Sequence, residues 1–122
     1  MHVPPAEFEE LVERALESLP KRFADLVQNV AIVVEDEPSE HDLDVLDDDA
    51  YEAGSELLGL YRGIPRTRRT HDMFMLPDQV AIFRGPILRI CRSREQVVIQ
   101  VRETVIHELG HYFGLGDDDM VY

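Results

Sequence analysis

Residues 93–119, SREQVVIQVRETVIHELGHYFGLGDDD, decide how the rest of the chain is to be understood. Ser93 is followed three residues later by Gln96, which fits a capping box: the serine hydroxyl takes a free backbone N–H and the glutamine reaches back. The spacing predicts a helix from about Arg94 to Phe113. At about 100° per residue, Val98, Val105 and Leu109 fall on one side, whereas Gln100, Thr104, His107 and His111 line up on the other. One face is therefore assigned to a core and the other to something polar. Gly114 is suited to the left-handed conformation that commonly ends a helix and lets the chain turn back.

Working upstream, Val80 to Phe83 and Ile87 to Ile90 flank Arg84-Gly85-Pro86 and read as two short strand pieces around a turn or bulge. Residues 63–78, GIPRTRRTHDMFMLPD, form a long connection with little periodicity, and such connections in small domains are often functional. Leu57 to Tyr61 is a short apolar piece stopped by Gly63 and Pro65, read as a strand. Asn29 to Glu35 is a β-branched run and reads as a buried strand. Near the start, Phe8, Leu11, Val12, Ala15, Leu16 and Leu19 recur at helical spacing after Pro4 and Pro5, until Pro20 interrupts them. These segments read as one domain spanning residues 1–122, long enough for a single core.

The polar face of the last helix carries chemistry. In His107-Glu108-Leu109-Gly110-His111 two imidazoles lie one turn apart on the same face, close enough to share one tetrahedral zinc ion. Glu108, about 100° around the helix from His107, can reach a water polarised by that ion without binding the ion itself. It is the candidate general base, taking the water's proton as a carbonyl is attacked and passing it to the leaving amine. Catalytic zinc usually has three protein donors and one open position. Asp117, beyond the Gly114 turn, is the candidate third ligand, with Asp118 and Asp119 as adjacent alternatives. Two histidines and a carboxylate also serve non-haem iron, but the contiguous helical motif supplies a carboxylate placed as base and favours zinc. Glu103 and Thr104, one turn before His107, are candidate partners for an imidazole N–H.

At these residues the chain resembles the zincins, and more narrowly the small bacterial minimal zincins. The likeness rests on TVIHELGHYFGLGDDD, supported by LLGLYRGIP and LPDQVAIFRGPILR upstream. The pattern His107-Glu108-x-x-His111-x-x-Gly114-x-x-Asp117 is similar to that of the metzincins, with aspartate where a third histidine is commoner. The resemblance implies an α+β fold, a small mixed β-sheet packed with an N-terminal helix and a C-terminal metal-binding helix. It also implies hydrolysis of peptide bonds in a peptide or protein substrate, with Zn2+ as cofactor. Larger metzincins wall their cleft with a downstream methionine turn. Here only Asp118 to Tyr122 follow the third ligand, so that wall is expected from residues 63–78, from a partner chain, or not at all. The strand near Val80 to Arg84 is expected to offer the edge along which a peptide pairs. His71 is either an oxyanion donor or an ordinary loop histidine.

Bulk properties narrow the classes further. A formal net charge of −13 argues against nucleic-acid binding through phosphates, which needs a concentrated positive surface. Carboxylates crowd residues 35–49, whereas Arg62 to Arg102 holds most of the basic residues. The acidic stretch lacks the alternating ligands and central glycine of a calcium loop and reads as solvated. The longest aliphatic run, Val30 to Val34, is too short to cross a bilayer. The opening MHVPPAEFEE is unlike a secretory signal, so no membrane partner and a cytoplasmic location are expected. The lone Cys91 fits a reducing compartment and is expected to be buried. A rival to the peptidase is a metal-stabilised interaction module without turnover, in which the ion fastens the last helix to the tail. Oligomeric state is left open.

Overall fold

A computed structural model describes residues 1–44, 56–63 and 77–114. Pro5 occupies the first turn of α1 (Pro5–Glu17), where a missing N–H costs nothing, and Phe8, Leu11, Val12 and Ala15 make its buried stripe. The helix stops at Ser18, whose N–H and hydroxyl both donate to Ala15 O. Pro20 then starts a second helix, α2 (Lys21–Val27), its carbonyl accepting from the N–H groups of Phe23 and Ala24. The sequence reading passed over α2. Seven residues are too few to display a period, and tertiary burial of Phe23 holds the segment in place.

The sheet has the order β1-β3-β2, built from β1 (Val30–Glu35), β2 (Gly59–Arg62) and β3 (Asp78–Phe83). β3 lies parallel to β1, with Ile32 opposite Val80, and antiparallel to β2, with Tyr61 opposite Val80. Two expectations change here. β1 is half-buried along its length rather than buried, because it is a sheet edge. β3 is the central strand with partners on both sides, so Val80 to Phe83 has no free edge for a peptide; the edge strands are β1 and β2.

A short helix, α3 (Glu40–Asp44), follows β1 in the chain. A third correction concerns Ile87 to Ile90, which belong to a helix, α4 (Arg84–Ile90), and not to a strand. Pro86 sits in the first turn, where a proline is tolerated, so Gly85-Pro86 starts a helix instead of bending a strand. The long helix α5 (Arg94–Tyr112) closes the described chain.

The fold is α+β, with α1 and α5 packed on one face of a small mixed sheet. Residues paired across the strands share a face, so Val30, Ile32, Val34, Val80 and Ile82 point together. They meet α1 and α5 in one apolar cluster, to which α5 contributes Val97, Val101, Val105 and Leu109. Each such side chain contributes about 1.5–3 kcal/mol by leaving water. Val98, expected in this stripe, is only partly buried against it. On the opposite face the Arg62 guanidinium donates to both oxygens of Glu35 at 2.8 Å and to Asp42 at 2.8 and 3.0 Å. This cluster ties the two edges of the sheet together and anchors α3. Among the described residues no helix is long and apolar enough to cross a membrane.

Candidate metal centre

The start of α5 is fixed as its sequence implies. Ser93 Oγ accepts from the Gln96 N–H at 3.1 Å, while Gln96 Oε1 accepts from the Arg92 N–H, one residue ahead of the cap. At its other end the helix closes with the Phe113 N–H on Leu109 O, and Gly114 turns the chain at φ 69°. The expected left-handed glycine is present, and a side chain there would be strained.

Between these ends the imidazoles of His107 and His111 stand with ring centroids 4.5 Å apart and planes tilted by 36°. Both residues are exposed, on the side of the helix away from the core. Burial of part of its ring, then the neighbouring charge of His111, lowers the His107 pKa and favours the neutral imidazole that a metal needs.

Glu108 is placed differently. Its Oε1 accepts from the Tyr61 N–H at 3.1 Å, so the carboxylate lies along the outer edge of β2. Burial raises its pKa above the ordinary carboxylate range, although the Tyr61 N–H and the charge of His111 pull the other way. The contact requires β2 to lie very close to α5, and Gly59 permits that approach. A Cβ there would come 2.5 Å from Thr104 Cγ2 and 2.9 Å from Ala81 O. Thr104 is consequently buried beneath β2, not on an open polar stripe. Its hydroxyl donates to Gln100 O at 2.8 Å and accepts from Gln100 Nε2, so it is not an imidazole partner. Glu103 remains exposed.

Tyr61 is held at both ends. Its ring stacks on Tyr112 at 3.8 Å between centroids, with 12° between planes, and Phe113 meets it edge-on at 6.1 Å. Its hydroxyl donates to Asp78 Oδ2 at 2.8 Å. Sequence reasoning singled out neither the Tyr61 N–H nor Asp78. A backbone donor leaves no mark in residue types, and only the pairing of β2 beside the motif helix could have pointed to it.

His107, His111 and Glu108 are thus brought together. Asp117, its alternatives Asp118 and Asp119, and His71 lie outside the described residues, as does most of the 63–78 connection. Among the described residues no group of three His, Cys, Asp or Glu side chains gathers to hold an ion. Cys91 is buried, and that burial raises its thiol pKa.

A family model described as zincin-like metallopeptidase matches residues 27–122 of the chain. No curated protein matches it significantly. Among solved structures, a conserved hypothetical protein from Thermus thermophilus is similar at 26% identity and a TM-score of 0.52. That match covers 88% of this chain and 91% of the other.

Proposed function

Because the chain belongs to the zincin-like metallopeptidase family, we propose that it is a zinc-dependent peptidase in which Glu108 is the general base. His107, His111 and Asp117 would hold the ion. The donor chemistry fits: two imidazoles one turn apart, one of them biased toward its neutral form, with a carboxylate proposed from beyond the Gly114 turn. When bound, zinc supplies Lewis-acid activation of water, lowering its pKa toward about 7.

The observation that carries this reading is the position of Glu108. Its carboxylate is fixed by the Tyr61 N–H beside the paired imidazoles, at the edge of the sheet that lies against α5. With Oε1 held there, Oε2 is left to take a proton from water and return it to the leaving amine. A raised pKa makes Glu108 a stronger base than an exposed carboxylate, which suits proton transfer near neutral pH. This reading takes residues 1–122 as one domain and expects a cytoplasmic setting, consistent with a buried free thiol.

Glu108→Gln tests the assignment. The amide keeps an oxygen for the Tyr61 N–H but cannot act as base. Peptide-library cleavage should fall by a factor of about 10²–10⁴ with zinc content unchanged. Undiminished cleavage would remove Glu108 from the chemistry. Absence of cleavage by the zinc-loaded wild type, with the ion still bound, would favour an interaction module.

A further inference from the structure

At the edge of the sheet opposite the one that holds Glu108, α1 and β1 enclose a groove of about 290 Å³. Val12 and Leu16 of α1 and Ile32 and Val34 of β1 give it apolar walls, and the exposed Glu9 and Glu13 line it as well. We propose that this groove and the edge of β1 dock an extended segment of a partner protein. That segment joins the sheet as a new edge strand and carries lysine or arginine at two alternate positions facing α1. The inference goes beyond hydrolysis and does not depend on it.

The backbone makes the edge a template. Among the described residues β1 pairs with β3 alone, and the outer N–H and C=O groups of an edge strand are open to a further strand. Natural edges are commonly protected by lysine, proline or a bulge. Val30–Glu35 contains neither residue and pairs with β3 without a break in register. Its helix-facing side chains, Ile32 and Val34, are only partly buried against the core. Pairing through the backbone would supply affinity, and the groove would read alternate side chains.

Charge selects what those side chains are. α1 pairs Glu7 with Arg94 and Arg14 with Glu95, whereas Glu9 and Glu13 have no ion pair among the described residues. Like charges four residues apart on a helix repel one another, and basic groups beside them relieve that repulsion. The spacing fits as well. Four residues along a helix rise about 6 Å, and alternate residues along a strand lie about 6.6 Å apart, so two basic side chains match the two carboxylates. Their aliphatic stems would cover Val12, Leu16, Ile32 and Val34 while the heads reach the acids. A second copy of this chain fits poorly, because it would bring another Glu9 and Glu13 and a further net charge of −13 to the same edge.

The probe is a capped hexapeptide with lysine at its second and fourth positions, valine at its third and fifth, and threonine at both ends. It is titrated into the isotope-labelled, zinc-loaded full chain, in a Glu108→Gln background that keeps the probe intact, and backbone amide shifts are followed. Saturable shifts should gather at Val30–Glu35 and along α1 from Glu9 to Leu16. Binding should weaken by about fivefold when norleucine replaces both lysines, and by a similar factor in the Glu9→Gln, Glu13→Gln double variant. Both glutamates are exposed, so the double variant should keep the parent's urea midpoint. Of two probes N-methylated at alternate residues, one should lose binding, because only one set of N–H groups faces β1. Absence of saturable shifts at β1, equal binding of lysine and norleucine probes, equal binding of the two methylated probes, or no effect of the double variant would overturn the proposal. So would β1 shifts that follow protein concentration without any probe, with a dimer in sedimentation, since the edge would then belong to a second copy.

Discussion

At Glu108 two requirements on one carboxylate meet. Packing it under the edge of β2 costs solvation of the charge, and the Tyr61 N–H restores part of that cost. The net effect is a raised pKa, and its sign fixes the pH dependence. In the proposed role Glu108 works as a base only when ionised, so activity should be present above the raised value and lost as pH falls through it. The acid limb of kcat/KM should therefore lie above the ordinary glutamate value of about 4.3. A limb at the ordinary value would mean that Glu108 is solvated in the working enzyme. The residues proposed for this chemistry stand out in the sequence, because a metal clamp on a helix demands residue types at a fixed spacing. What escaped the sequence was the Tyr61 N–H that holds Glu108, since every residue but proline carries an N–H.

At the scale of elements, the site depends on how closely β2 lies on α5. Gly59 faces Thr104 and the Ala81 carbonyl, and a methyl group there meets backbone on one side and a buried side chain on the other. Gly59→Ala should cost about 1–3 kcal/mol, measured as a lower midpoint in urea. It should also lower kcat, because lifting β2 moves Tyr61 N–H away from Glu108. Full activity with reduced stability would separate the strand's packing from its role in orienting the base. Long elements with a clear period, α1 and α5, were read to within a residue or two of their observed ends. Short ones were not: α2 was missed, α3 with its buried Asp42 was read as part of a solvated acidic stretch, and α4 was taken for a strand, because five to seven residues carry too little pattern. Which strand lies in the centre of the sheet depends on pairing between distant segments, and the apolar runs of β1 and β3 look alike.

Over the molecule as a whole, Arg62 clasps Glu35 and Asp42 of α3 and so joins both sheet edges on the face opposite α1 and α5. Arg62 holds the Glu35 carboxyl below its usual range; burial opposes ionisation of Asp42, but Arg62 and Ser39 outweigh it. Both pKa values are depressed on folding. The stability they contribute is present above the unfolded values of about 4 and is lost as pH falls through the folded ones. Arg62→Ala strands Asp42, which is only 3% exposed. The expected loss at neutral pH is about 2–3 kcal/mol, below the ~3–5 of a fully enclosed pair because Glu35 reaches water. The difference between variant and wild type in urea should narrow below about pH 4. A difference independent of pH would show that Arg62 acts by packing over Phe83 and not by charge. The proposed catalysis depends first on the ion. Zinc measured by elemental analysis after exhaustive dialysis should be close to one per chain in the wild type and absent in the His107→Ala, His111→Ala double variant. Equal zinc in both proteins would contradict the account.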